Sequence, residues 1–217
     1  VKYRVNEIFH SVQGEGVHTG ITATFIRLQV CTVGCPWCDT KYTWKGGGEL
    51  METENIVKQI DTNSRLVVIT GGEPTIWNLD ELILTIAAEH PGKSVHLETS
   101  GQNELKGEVT PDWITWSPKR NLSFSTHASI IKGLSEVKFV VDKELTLEEV
   151  WDCLDPVFKY WSALSAPHWP YIVFMPEGCP PSDQSMQKAY QFAQAVSSLT
   201  TRPVRIMDRL QYRLGVR

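Results

Sequence analysis

No run of apolar residues in this sequence approaches the roughly 18 needed to cross a bilayer, so no membrane is expected. The first residues, Val1-Lys2-Tyr3-Arg4-Val5-Asn6-Glu7, lack the apolar segment of a secretory signal. Positive charge is not in excess: 21 Lys and Arg stand against 25 Asp and Glu, a net charge of -4. A nucleic-acid partner is therefore not expected, although one or two local arginines could hold a small anion. There is no repeat and no low-complexity tract. His10, His18, His90, His96, His127 and His168 have no ligand spacing among themselves. Cysteine is scarce and odd in number, with five residues at 31, 35, 38, 153 and 179. The even, spread framework of a secreted domain is thus missing. A tight group of three reads as metal chemistry in a reducing compartment, hence a cytoplasmic protein.

What is present is a globular composition, with 41% hydrophobic and 21% charged residues in 217. That length suits one domain over residues 1–217. Short β-type runs alternate with helical ones. Strands are expected at Thr24–Val30, Leu66–Thr70, Val95–Thr99, Trp113–Ser117, Val137–Val141, Tyr171–Phe174 and Val204–Met207. Thr53 is expected to cap a short helix carrying Ile56, Val57 and Ile60, and Lys45–Gly48 to form a loop. Asn78 with Glu81, and Thr146 with Glu149, have capping-box spacing before helices through Leu82–Ala87 and Val150–Phe158. Another helix is expected over about Ser185–Ser197. A βα series builds a parallel sheet covered by helices. A closed eight-fold barrel usually needs about 250 residues, so an incomplete, open barrel fits better, with a doubly wound sheet as the alternative. Glycines and polar residues gather at the C-terminal strand ends, where sites of parallel α/β folds lie.

Cys31-Thr32-Val33-Gly34-Cys35-Pro36-Trp37-Cys38 sets three thiolates in a C-x3-C-x2-C pattern. Zinc wants four ligands, and Asp39, His10, His18 or a distant cysteine could complete it; zinc ribbons, however, carry two separated cysteine pairs. A [4Fe–4S] cluster also takes four thiolates as a rule. Three would leave one iron open to a small molecule, the reading the spacing favours. A redox or structural cluster of thiols is the remaining option. Trp37 could stack on a heterocycle or be core. Gly71-Gly72-Glu73-Pro74 closes the next strand, as a site or as a plain turn. Gln13, Gly14 and Glu15 could read a heterocycle edge or belong to a polar N-terminal loop before the first strand. Arg27, inside a strand, needs a partner: a substrate carboxylate or an internal carboxylate.

These residues resemble the radical S-adenosylmethionine (SAM) superfamily. Within it, Phe9–Gly16, Phe25–Leu28, Cys38-Asp39-Thr40, Thr70–Pro74, Glu98–Gly101 and Ser117–Lys119 resemble the 7-carboxy-7-deazaguanine synthase family, densely over the first 120 residues or so and diffusely beyond. The resemblance implies a partial (β/α)6-type TIM barrel of the radical SAM kind, compact and modified. It implies a lyase that converts 6-carboxy-5,6,7,8-tetrahydropterin to 7-carboxy-7-deazaguanine with loss of ammonia, in queuosine and deazapurine biosynthesis. Cys31, Cys35 and Cys38 would hold the [4Fe–4S] cluster, whose reduced form cleaves SAM to a 5′-deoxyadenosyl radical. Trp37, Cys38, Asp39, Gly101, Ser117, Pro118 and Lys119 would hold SAM, with Glu73 at its methionine amine. Phe174, Met175, Pro176 and Glu177 lie where the family has a segment near adenine, although Met175 replaces the expected glutamine. Val12, Gln13, Gly14, Glu15, Arg27 and Thr99 would hold substrate, with Arg27 also catalytic. Thr40 would bind Mg2+. A homodimer and an external electron donor such as flavodoxin or ferredoxin are implied as partners. The C-terminal Met207–Tyr212 departs from one family ending and keeps the Arg-Leu-Gln of another.

Two rivals stand beside this reading. A glycyl-radical activase would prefer a protein partner, for which Arg27 and Gln-Gly-Glu-Gly give no reason. A non-enzymatic metal-binding domain would not need Gly-Gly-Glu and Thr-Ser-Gly at successive strand ends. Cys153, within a helical run, is expected to be an inert buried thiol. Cys179 could approach the site.

Overall fold

A computed structural model describes residues 1–36, 38–164, 169–178, 180–200 and 202–216. The expectations for Trp37, His168 and Cys179 lie outside the described residues. Among the described residues nine strands form one sheet: β1 (Lys2–Val12), β2 (Thr22–Leu28), β3 (Glu49–Glu52), β4 (Leu66–Gly71), β5 (Ser94–Thr99), β6 (Trp113–Trp116), β7 (Leu134–Val141), β8 (Tyr171–Pro176) and β9 (Arg205–Ile206). Their order is β3-β1-β2-β4-β5-β6-β7-β8-β9. From β2 to β9, bar the displaced β3, each strand lies parallel beside its predecessor in the chain. Every crossover therefore steps in one direction, as in a barrel wall. A doubly wound sheet would reverse direction at a switch point. The wall is open: β1 and β3 extend one edge antiparallel, and the other edge is β9.

The helices are α1 (Thr53–Val57), α2 (Asp80–Glu89), α3 (Ala128–Gly133), α4 (Leu147–Ala163), α5 (Asp183–Ser197) and α6 (Leu210–Leu214). The expected capping box of Thr146 and Glu149 starts α4. Its buried Val150, Cys153, Leu154 and Val157 follow helical spacing onto the sheet. Ser182 accepts from the Ser185 N–H and caps α5. No helix forms in residues 100–112 between β5 and β6. That stretch is instead pinned by Asp80 at the start of α2, which accepts from the Glu108 and Val109 N–H groups. No helix of the described residues is long and apolar enough to cross a membrane.

Three local expectations are corrected. Gln13, Gly14 and Glu15 do not lie in a loop before the first strand; they follow strand β1, which runs through Val12 and pairs with β2. Thr53 is the first residue inside α1 rather than its cap, because its hydroxyl is engaged by Val1 O and Glu81 Oε1. Asn78 and Glu81 form no capping box. Asn78 Oδ1 accepts from Asp80 N two residues on, while Glu81 is taken by Thr53 and the Val1 ammonium.

The strand period of two divides the sheet into two chemically different faces. Ile26, Leu28, Val67, Ile69, Leu97, Ile114, Trp116, Val137, Phe139 and Phe174 belong to the main apolar core beneath the helices. Arg27, Thr70, Glu98, Thr115, Lys138 and Met175 alternate with them and line the concave face. Burying that many polar groups requires mutual pairing, and this sets the character of the site.

Candidate active site

The concave face encloses a cavity of about 270 Å3. Cys31, Cys35 and Cys38 line one wall; Arg27, Glu98, Lys138, Met175 and Arg209 line others. The cysteine loop leaves β2 through Val30, a β-branched residue held at φ +81°, a conformation that costs energy and needs enforcement. Two hydrogen bonds enforce it: Val30 N–H donates to Thr43 O at 2.8 Å, and Val30 O accepts from Glu73 N at 2.9 Å. The turn brings Cys31 to the end of β4. There Gly71 and Gly72 allow the chains to touch. A Cβ at Gly72 would lie 2.1 Å from Val30 O, and one at Gly71 would lie 2.2 Å from Leu28 O.

Glu73 is 1% exposed, and its carboxylate is met by five protein donors. Oε1 accepts from Thr75 N at 3.1 Å, Thr75 Oγ1 at 2.6 Å and Thr99 Oγ1 at 2.6 Å. Oε2 accepts from Ser100 N at 2.9 Å and from the Ser100 hydroxyl. Gly-Gly-Glu thus ties the ends of β2, β4 and β5 together, and Glu73 still lines the cavity.

The three thiols differ in their surroundings. Cys38 Sγ accepts from Thr40 N at 3.4 Å and has Thr40 Oγ1 at 3.4 Å. Cys35 Sγ donates to Asn121 Oδ1 at 3.9 Å, and Asn121 Nδ2 holds Val33 O at 2.6 Å. Burial raises the pKa of Cys31 and of Cys35. Among the described residues no three His, Cys, Asp or Glu side chains close around one point that could hold a single ion. A cubane cluster does not ask for that, since each thiolate takes its own corner iron. Soft thiolates on one cavity wall, with an N–H directed at sulfur, fit such a cluster.

Sequence reasoning missed much of the floor. Glu15 Oε2 accepts from Lys138 Nζ at 2.7 Å, and Glu15 Oε1 from Gln211 Nε2 at 3.2 Å. Arg209 Nε lies 3.4 Å from Glu15 Oε1. Burial alone would raise the Glu15 carboxyl, but Lys138 and Arg209 outweigh it and bring it down to about 2. Glu98 accepts from Gln13 Nε2 at 3.0 Å and from Thr70 Oγ1 at 3.2 Å. Glu136, 1% exposed, accepts from the Val17 N–H at 2.8 Å, and burial raises its pKa. Of these, Glu98, Glu136 and Lys138 had a signal in the sequence: a charge inside an otherwise apolar strand. For Arg209 and Gln211 the signal was the Arg-Leu-Gln ending alone, and only the fold returns that ending to the turn after β1.

Most expected site residues do gather here: Val12, Gln13, Gly14, Glu15, Arg27, Asp39, Thr40, Thr99, Ser117 and Lys119 line the cavity with the cysteines. Arg27 already has an internal partner, Glu7 Oε1 at 2.8 Å. Lys119 Nζ donates to Ser117 Oγ at 2.8 Å and, among the described residues, has no carboxylate within ion-pair distance. Burial lowers its pKa. Pro118 and Glu177 line a smaller neighbouring recess with Lys119 and Phe124. Three expectations are corrected. Phe174 faces away from the cavity, stacked on Phe139 at 5.4 Å and edge-on to Phe192 at 5.9 Å. Strand alternation forces this, because Met175 takes the inward position. Pro176, next in β8, is buried without lining either space. Gly101 likewise contributes no cavity wall; it turns the chain at φ +75° against Trp116 and Thr126.

Residues 25–113 match the family model of the radical SAM superfamily. The chain is 35% identical over 179 residues to the 7-carboxy-7-deazaguanine synthase of Escherichia coli (strain K12), covering 71% of this chain and 78% of that one. The chain belongs to the 7-carboxy-7-deazaguanine synthase family. A second member, from Prochlorococcus marinus, is 41% identical over 149 residues, which is 64% of either chain. The crystal structure of QueE from Escherichia coli superposes with a TM-score of 0.75 at 27% identity, over 96% of this chain and 94% of that one. Membership of this radical SAM family implies a [4Fe–4S] cluster and SAM as cofactors. It does not favour the glycyl-radical activase or the non-enzymatic metal domain.

Proposed function

We propose that this chain converts 6-carboxy-5,6,7,8-tetrahydropterin to 7-carboxy-7-deazaguanine with loss of ammonia, as a step toward queuosine and related deazapurines. The observation that carries the proposal is one cavity with three thiols on one wall and a paired charge network on its floor. When bound, the cluster and SAM supply a carbon radical that abstracts hydrogen from the substrate. The chain's own residues hold and orient. Cys31, Cys35 and Cys38 hold the cluster. Lys119, a partly buried cation with no carboxylate within ion-pair distance among the described residues, is suited to a carboxylate of SAM, beside Asp39 and Ser117 and with Pro118 in the adjoining recess. Glu73 fixes Thr99 and Ser100 so that the strand ends keep their shape. Its carboxylate is already saturated by protein donors, so the SAM amine is better met by neighbouring backbone.

Arg27 has its Nε on Glu7, and we assign its remaining guanidinium nitrogens to the substrate carboxylate. Gln13 and Glu15 read the heterocycle edge, with Lys138 and Arg209 keeping Glu15 ionised at neutral pH. Glu98 and Lys138 are fixed in place by each other's neighbours and keep the floor polar and ordered.

Thr40 is the proposed Mg2+ ligand, since a hard ion accepts an oxygen donor and keeps waters. One domain over 1–217, a homodimer, a flavodoxin- or ferredoxin-type donor and a cytoplasmic location complete the proposal. The test is anaerobic turnover with reduced, iron-loaded protein, SAM, Mg2+ and the carboxylated pterin. Formation of 7-carboxy-7-deazaguanine is expected; SAM cleavage without that product would overturn the substrate assignment. Thr40→Ala should raise the Mg2+ concentration needed for half-maximal rate, and an unchanged requirement would remove Thr40 from the ligand set.

A further inference from the structure

The loop from Cys31 to Cys38 has little to hold its shape from within. Among the described residues its backbone makes one hydrogen bond of its own, Cys38 N–H to Cys35 O at 3.1 Å. Its middle is fastened from outside by two side chains. Thr32 Oγ1 donates to Gln102 Oε1 at 2.9 Å, and Asn121 Nδ2 donates to Val33 O at 2.6 Å. Asn121 stands in the turn Arg120–Leu122 after β6. Its neighbour Arg120 anchors that turn on Glu144 at 3.0 Å and on Glu149 at 3.2 Å.

Val33 O and the Gly34 N–H belong to one planar trans peptide, so they point in opposite directions. With the carbonyl held by Asn121, the Gly34 N–H is left facing the Cys31 sulfur, which accepts from it and from the Val33 N–H. Gly34 has φ +69°, and a Cβ there would meet nothing within 4 Å. Glycine is therefore required here by the backbone and not by space. Turning the peptide over would carry Gly34 to negative φ, where any L residue is at ease. The Asn121 amide and the glycine thus enforce one peptide orientation from its two sides.

We propose that Asn121 is a positioning residue for the cluster: by holding Val33 O it keeps the Gly34 N–H on the Cys31 sulfur, and so raises the potential at which the cluster accepts its electron. An N–H on a ligating sulfur favours the reduced cluster, which carries one more negative charge. The single electron from an external one-electron donor is then easier to take up. This rests on Cys31, Cys35 and Cys38 holding the cluster.

The test is an anaerobic redox titration of the iron-loaded protein without SAM, with the reduced cluster counted by electron paramagnetic resonance. In Asn121→Ala the reduction equilibrium should shift about tenfold toward the oxidised form, as for one lost hydrogen bond to a charged group, which is about 59 mV more negative. Gly34→Ala, whose strain favours the turned-over peptide, should shift the same way with Asn121 intact. Gln102→Ala frees the loop at Thr32 alone and should keep the wild-type potential. An equal shift in Gln102→Ala and Asn121→Ala would mean general loosening of the loop and would overturn the proposal. So would an unchanged or raised potential in Asn121→Ala. A rise would show that Asn121 acts on Cys35 through its Oδ1, which lies 3.9 Å from that sulfur. Iron and sulfide content is measured before each titration. A wild type that takes up no iron would overturn the cysteine assignment and this proposal with it, whereas a loaded wild type matched by both Asn121→Ala and Gly34→Ala overturns this proposal alone.

Discussion

Lys138 on β7 and Glu15 beyond β1 are 123 positions apart in the chain, yet their charged atoms lie 2.7 Å apart at the floor of the cavity. Lys138 is 5% exposed, and its cost of burial is offset by Glu15, Glu98 and Glu136, which raise its pKa. The pair clips the turn after β1 across the open barrel, which hydrogen bonds between strands alone would leave unclosed.

This coupling has a pH signature. The Glu15 carboxyl falls to about 2 in the folded protein, below its ordinary value of 4.5. A depressed carboxyl stabilises fully above its unfolded pKa and loses that contribution as pH falls through the folded one. Thermal stability should therefore decline between about pH 4.5 and pH 2 through this group. In Glu15→Gln that part of the decline should vanish. The variant should also be about 3 kcal/mol less stable at neutral pH, because Lys138 stays buried without its nearest partner. Denaturant unfolding followed from pH 7 down through the window between about pH 4.5 and pH 2 measures both effects. An unaltered pH slope in the variant would assign the acid sensitivity elsewhere.

Gly72→Ala should damage the cysteine loop more than its size suggests. The added Cβ would sit 2.1 Å from Val30 O, and that carbonyl cannot yield without losing Glu73 N–H. Overpacking of this kind costs about 1–3 kcal/mol. Iron retention after reconstitution should drop together with melting temperature. Normal retention in a destabilised variant would separate the glycine from the loop geometry.

The cysteines should divide by chemistry. Cys153 is 1% exposed and burial pushes its thiol pKa well up, so it should resist iodoacetamide in the native metal-free protein. Cys31 and Cys38, both partly exposed, should be alkylated. Replacing any one of Cys31, Cys35 or Cys38 by Ala should abolish the brown charge-transfer absorption, whereas Cys153→Ala should retain it. Peptide mapping and the visible spectrum read these outcomes.

Adjacent residues of β8 should separate stability from binding. Phe174→Ala opens the core between Phe139 and Phe192 and should cost about 3–5 kcal/mol. Met175→Ala changes the cavity wall and should shift SAM or substrate affinity more than Phe174→Ala does. Urea titration and calorimetry on the two variants check the contrast; equal effects on binding would contradict the assigned faces.

The sequence by itself determined what is local. Cysteine spacing, the Gly-Gly-Glu strand end, the Thr146–Glu149 box and the alternation of apolar runs are all written within a few residues, and the structure keeps them. Strand parity was also there to be read: Glu98, Glu136 and Lys138 stand out as charges inside apolar strands. Only the tertiary structure decided what those charges meet. Capping spacing failed at Asn78 and Glu81 because Glu81 is taken by Thr53 and the chain start, which come near only when β1 and β3 pair. Arg27 against Glu7 depends on the register of β1 on β2. Gln211 over Gly14 depends on the path of the last residues back to the first strand. Periodicity is a property of neighbours along the chain, whereas partners of buried charges are fixed by register and crossover direction, which only the assembled sheet sets.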